Sequence, residues 1–175
     1  MMKNVFSLPA RVLHWSMAAM IVAMLFIGVG MVASVSERHA TLVAIHKPLG
    51  IAVLVLALVR VVVRLSSRPP ALPEDLPGWQ KVAALGSHLV LYVLMIAMPL
   101  IGWAMLSAGG YPIALGGGVP LPAIVPADPV WFAWLRNAHR WLAYAFFGTF
   151  LVHFAAALYH ALVRRDGVMR AMVGR

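Results

Sequence analysis

Apolar residues in this chain come in long unbroken runs, not in the alternating or one-faced patterns of soluble strands and helices. A bilayer core about 30 Å thick takes roughly 20 apolar residues in helical form. Four segments reach that length, at about 10–34, 42–63, 82–106 and 137–163. The first opens after Pro9, a residue suited to a first helical turn. The second stops at Arg64 and the Ser-Ser-Arg-Pro-Pro break that follows. Pro99 is expected to kink the third near its end, and the fourth closes on Arg164-Arg165-Asp166-Gly167. Residues 107–135, rich in Gly and Pro yet still apolar, as in Gly116-Gly117-Gly118-Val119-Pro120, are expected to pack over the outer surface. No repeat or second domain interrupts the pattern. Residues 1–175 therefore read as one all-α, integral-membrane four-helix bundle.

Composition points the same way. The chain is 63% hydrophobic and 11% charged, whereas soluble domains run near 45–50% apolar and about 25% charged. So small a globule cannot bury that much apolar surface. Val32-Ala33-Ser34 loosely resembles a signal-peptide cleavage site, but the apolar run before it is too long for a signal core. The net charge of +9 does not make a nucleic-acid face, because the bases flank the apolar runs and act as topology signals. Lys3, Arg11, Arg60, Arg64, Arg68, Lys81, Arg164, Arg165, Arg170 and Arg175 fall on the side of the termini; only Arg38, Lys47, Arg136 and Arg140 fall on the other. Ten against four predicts both termini in the cytoplasm of a multi-pass protein. The six tryptophans lie near span ends, as an aromatic belt.

The absence of cysteine excludes disulfides, Cys-ligated iron–sulfur clusters and c-type haem attachment. Any redox cofactor falls to the seven histidines. A lone intramembrane histidine is commonly a packed polar group, but histidines at depth also mark functional sites. Here they are arranged. His139 and His153 lie fourteen residues apart on the fourth span, about 40° short of four full turns and about 21 Å along the axis. Both face one way, one near each membrane surface. His46 lies on the second span at the depth of His139, and His14 on the first at the depth of His153. Two levels of facing imidazoles describe two stacked b-type haems. By depth alone, His88 on the third span competes with His14 for the inner position.

The same fourteen-residue step carries His14 to Gly28, His88 to Gly102 and His46 to Arg60. The glycines then stand at the outer level, where either a macrocycle approaches the backbone or two helices pack closely. Arg60 stands at the inner level, either pairing with a haem propionate or snorkelling to the interface. Lys47 and Arg140 each follow an outer histidine. They are candidates for neutralising propionates and for drawing small anions to the site, or else interfacial anchors. His160, seven residues beyond His153, is a candidate to bond a quinone carbonyl or a propionate, or it snorkels.

Four spans, His14 in Arg-Val-Leu-His-Trp, His46 in Ile-His-Lys, His88 after Gly-Ser, and the His139/His153 pair together resemble the bacterial cytochrome b561 family over nearly the whole chain. Its members are four-helix, di-haem quinone reductases. In the wider superfamily, which includes membrane subunits of hydrogenases and formate dehydrogenases, the ligands come from the first, second and fourth helices. The resemblance thus implies His14 and His153 as iron ligands of the inner haem and His46 and His139 of the outer one. His88 becomes a polar neighbour of inner haem or quinone. Free-standing members of this size are similar to superoxide oxidases, which implies an oxidoreductase passing electrons from periplasmic superoxide to ubiquinone, with Lys47 and Arg140 steering the anion. Two other readings use the same residues differently: a haem-bearing anchor for a periplasmic dehydrogenase or small redox protein, and a metal-ion transporter. The transporter would want a continuous polar path, whereas these residues divide into two levels.

Overall fold

A computed structural model describes residues 5–174 apart from 34, 68, 112, 115–117 and 119. Ser34 of the first predicted span, Lys3, Arg68 and Arg175 of the charge comparison, and Gly116, Gly117 and Val119 of the loop lie outside the described residues. Four long helices follow one another: α1 (Leu8–Val32), α2 (Glu37–Ser66), α3 (Gly78–Ala108) and α4 (Pro129–Leu158). A π-helical turn, Tyr159–Arg164, extends α4, and a short α5 (Val168–Val173) ends the described chain.

Each predicted span has its helix, and each helix outruns the apolar core on at least one side. At α2 the added first turn holds Glu37, whose charge suits the positive helix start, and the last turn holds Arg64. The largest departure is at α4, which begins at Pro129, eight residues before the predicted Asn137. Asp128 explains it. Its Oδ1 accepts from the backbone N–H of Val130 at 2.7 Å and of Trp131 at 2.9 Å, capping two of the orphan donors at the helix start. Pro129 occupies the first turn, where its missing N–H costs nothing. Asp128 thus starts α4. Its own N–H donates to Ala108 O at 2.9 Å, tying that start to the end of α3.

The described part of the loop before α4 folds back on the bundle end, as expected. Buried Ser107 accepts from Ile124 N at 3.2 Å, Trp103 Nε1 donates to Pro122 O at 2.9 Å, and Ile113 is buried. At the other end α5 lies against the start of α1. Phe6 N–H donates to Ala171 O (3.1 Å), Arg11 to Val173 O (3.0 Å) and Trp15 Nε1 to Met172 O (3.2 Å). The last carbonyls of α5 thus find donors on α1 and just before it. Both ends of the described chain sit at one end of the bundle, called here the terminal end; the loop end lies opposite.

α1 packs along α2, α3 along α4, and α2 against α3, while α1 and α4 hardly approach. The buried cluster is Met17, Ile21, Val53, Ala57, Leu94, Met95 and Phe146. Ile21, Val53, Met95 and Phe146 each lie seven residues after a histidine (His14, His46, His88, His139), about 10 Å along the axis. The apolar core is therefore a layer between two histidine levels. Outside it the helices stay apolar while exposed: in the most apolar 18-residue windows of α1 and α4, only 6% of residues are buried. Phe26, for example, is 75% exposed. Such a surface is stable only in lipid.

Candidate functional site

At the loop end, α2 and α4 set His46 and His139 against each other edge-on, with ring centres 6.3 Å apart and planes at 72°. Both Nδ1 atoms are buried without a hydrogen-bond partner. An unmatched buried nitrogen costs about 1–3 kcal/mol, so the pair is chemically incomplete as it stands. Gly102 on α3 backs this level: a Cβ there would stand 3.3 Å from Cε1 of His139. The glycine seats the imidazole itself. Gly28 has nothing within 4 Å of an added Cβ.

At the terminal end, α1 and α4 set His14 and His153 at the same 6.3 Å, planes at 64°. His88 on α3 stands closer to His153, at 5.3 Å. With a metal–imidazole bond of about 2 Å and a ring nitrogen about 1 Å from its ring centre, two imidazoles sharing one metal have centres roughly 6 Å apart. The two 6.3 Å pairs fit an ion held between ring nitrogens; the His88 contact is shorter than that span. Among the described residues no group of three or more His, Asp or Glu converges as a metal cage. The chemistry offered is paired, two-ligand coordination at two levels, and the residues present fit axial ligation of haem iron.

Arg60 joins the terminal level from α2. Its guanidinium donates to Tyr92 Oη at 3.1 Å, to Ala10 O at 3.5 Å and to His14 Nδ1 at 3.0 Å. It does not snorkel. It is half-buried and ties α1, α2 and α3 together at the histidines. Tyr92 was not a candidate from sequence, since nothing in spacing connects it to Arg60 thirty-two residues earlier.

Lys47 is half-buried beside His46, and among the described residues no acidic side chain pairs with it. Arg140 is exposed and lies along its own helix, bonded to Asn137 Oδ1 at 2.8 Å and resting on the Trp141 ring at 5.5 Å. His160 sits in the π-turn, its Nδ1 2.6 Å from Asp166 Oδ2. Arg164 bonds the same oxygen at 3.0 Å and reaches Asp75 at 2.6 Å. Burial alone would raise the Asp166 carboxyl. Hydrogen bonds from His160, Arg164 and the Val168 N–H outweigh it and hold the group below the usual carboxylate range. Asp75 and Asp166 were likewise missed in the sequence.

A family model described as prokaryotic cytochrome b561 matches residues 5–175. The chain belongs to this family. Cytochrome b561 homolog 2 of Escherichia coli K12 is 27% identical over 93% of this chain and 87% of its own length. Cytochrome b561 homolog 1 of the same organism is 28% identical over 98% of both. A probable superoxide oxidase, CybB, of Yersinia pestis is 33% identical over 74% of this chain and 73% of its own. Membership of the cytochrome b561 family implies b-type haem and membrane electron transfer. With four helices long and apolar enough to cross a bilayer, the chain is a multi-pass bacterial membrane protein.

Proposed function

We propose that this cytochrome b561 carries electrons across the inner membrane from superoxide at the loop end to ubiquinone at the terminal end. In this reading the terminal end, richer in Lys and Arg, faces the cytoplasm, and the whole chain is one di-haem domain. His46 and His139 would hold one haem, His14 and His153 the other; bound there, the iron supplies one-electron redox chemistry. The observation that carries the reading is the pair of equal 6.3 Å histidine spacings on facing helices at two levels. The relative named a probable superoxide oxidase supports the donor.

The chain's own groups have distinct tasks. Lys47 and Arg140 lend the loop end positive charge beside the outer histidines, raising the encounter rate of a small anion. Gly102 fixes the His139 ring, and the open space beside Gly28 suits a flat macrocycle. Arg60 is a donor-only group at the inner level, suited to a propionate. His88, within the inner level, and His160, beyond it on the cytoplasmic side, are the quinone-site candidates. The buried layer around Phe146 keeps water out between the two levels. The test is superoxide-driven reduction of ubiquinone by the purified protein. A superoxide source should reduce the haem and quinol should accumulate. Haem that quinone re-oxidises but superoxide leaves oxidised would remove superoxide as donor and favour a docked periplasmic protein.

A further inference from the structure

Asp166 should not reach His160. The two are six residues apart, which on a regular helix is not a neighbouring position. Two local departures bring them together. The helix opens to π-geometry over Tyr159–Arg164, a change frequent at functional sites. Arg165 then adopts φ 54°, the left-handed region, and its N–H closes onto His160 O at 2.8 Å. A non-glycine residue there costs of order 1 kcal/mol. The chain turns back on itself and delivers the carboxylate to the imidazole.

The result is an oriented couple. Asp166 accepts from His160, Arg164 and the Val168 N–H. An ionised carboxylate only accepts, so the proton between the two lies on His160 Nδ1. That leaves Nε2 as the exchanging nitrogen, the division of labour by which a carboxylate sets a catalytic imidazole. Arg164 pins the carboxylate and is itself pinned by Asp75 from the loop between α2 and α3. From α5, Arg170 reaches the Arg165 carbonyl, at 3.5 Å. Side-chain exposures of 16% for His160 and 10% for Asp166, against 76% for Asp75, put the couple just inside the water boundary. His160 lies about 10 Å beyond His153 and on nearly the same face.

We infer that His160 is the proton donor to the reduced quinone, and that Asp166, with Arg164, is the positioning group that holds it ready. This rests on the quinone-reducing reading above. Two superoxide anions give up one electron each and leave as two molecules of dioxygen. The quinone takes both electrons, and its two carbonyl oxygens take two protons. Each proton leaves His160 Nε2 and is replaced from cytoplasmic water, while Nδ1–H stays bonded to Asp166.

The experiment is stopped-flow re-oxidation of the reduced holoprotein by decylubiquinone across the neutral pH range, with ferricyanide as an oxidant that takes no proton. His160→Gln should slow re-oxidation by quinone about 100-fold and leave haem content and the ferricyanide rate at wild-type values. Asp166→Asn should slow re-oxidation by quinone and leave the ferricyanide rate unchanged, because the imidazole loses the carboxylate that orients it, and Asp166→Glu should restore the quinone rate. A His160→Gln protein re-oxidised by quinone at the wild-type rate overturns the inference. So does one slowed equally toward both oxidants, or variants that no longer hold haem, since either outcome makes the cluster structural. Wild-type protein oxidised by ferricyanide but not by quinone removes the acceptor, and the proton donor with it.

Discussion

A methyl group at Gly102 would stand 3.3 Å from Cε1 of His139, closer than nearly all real contacts of that kind. The imidazole must give by a few tenths of an ångström, and as a candidate axial ligand it cannot move without changing its iron. Gly102→Ala is expected to keep its haem but shift the potential and the reduced α band of one haem only. A redox titration followed optically checks this; an unchanged titration would mean that the His139 ring position does not matter. The same position shows what spacing can and cannot give. The fourteen-residue step from His88 put Gly102 at the outer level, and there it is. That its neighbour is an imidazole edge depends on where α3 and α4 cross, which no single-helix periodicity contains. Tyr92 and Arg60 repeat the lesson: depth was legible for the arginine, whereas its inward rotamer is set by Tyr92, Ala10 and His14 on two other helices.

Helix ends depend on single polar groups, and those are testable one at a time. Asp128→Ala removes a cap from α4 and should cost about 1 kcal/mol. The variant should melt at lower temperature with its haem complement intact. Asp-Pro before an apolar run is a readable start signal, but the surrounding Gly- and Pro-rich composition masked it. At the other end of α4, the Asp166 carboxyl is held below its ordinary value of 3.8. A depressed carboxylate contributes stability above its unfolded value and loses it as pH falls through the folded one. Wild-type thermal stability should therefore drop as pH is lowered past about 4, and the decline should be shallower in Asp166→Asn. Equal acid sensitivity of the two proteins would contradict the hydrogen-bonded role assigned to Asp166. The couple itself was not legible, because the π-turn and the left-handed Arg165 that create it break the helical period from which contacts are read.

The whole molecule is three layers in a lipid shell: a histidine level, an apolar layer through Ile21, Val53, Met95 and Phe146, and a second histidine level. Bilayer thickness and the helix rise dictate this stack, which is why four spans and two levels followed from the chain alone. The pairing of helices did not follow. α1 lies on α2 and α3 on α4, and His14 meets His153 across helices that otherwise keep apart. Four ligands in two pairs make a claim that one assay addresses. Haem should be quantified per chain, as the pyridine haemochrome, in the detergent-purified protein and in His46→Ala and His14→Ala variants. Two b-type haems per wild-type chain and one in each variant are expected, with different reduced spectra because each variant keeps the haem the other loses. One haem in the wild-type protein, or two surviving in either variant, would contradict the assignment of the histidine pairs.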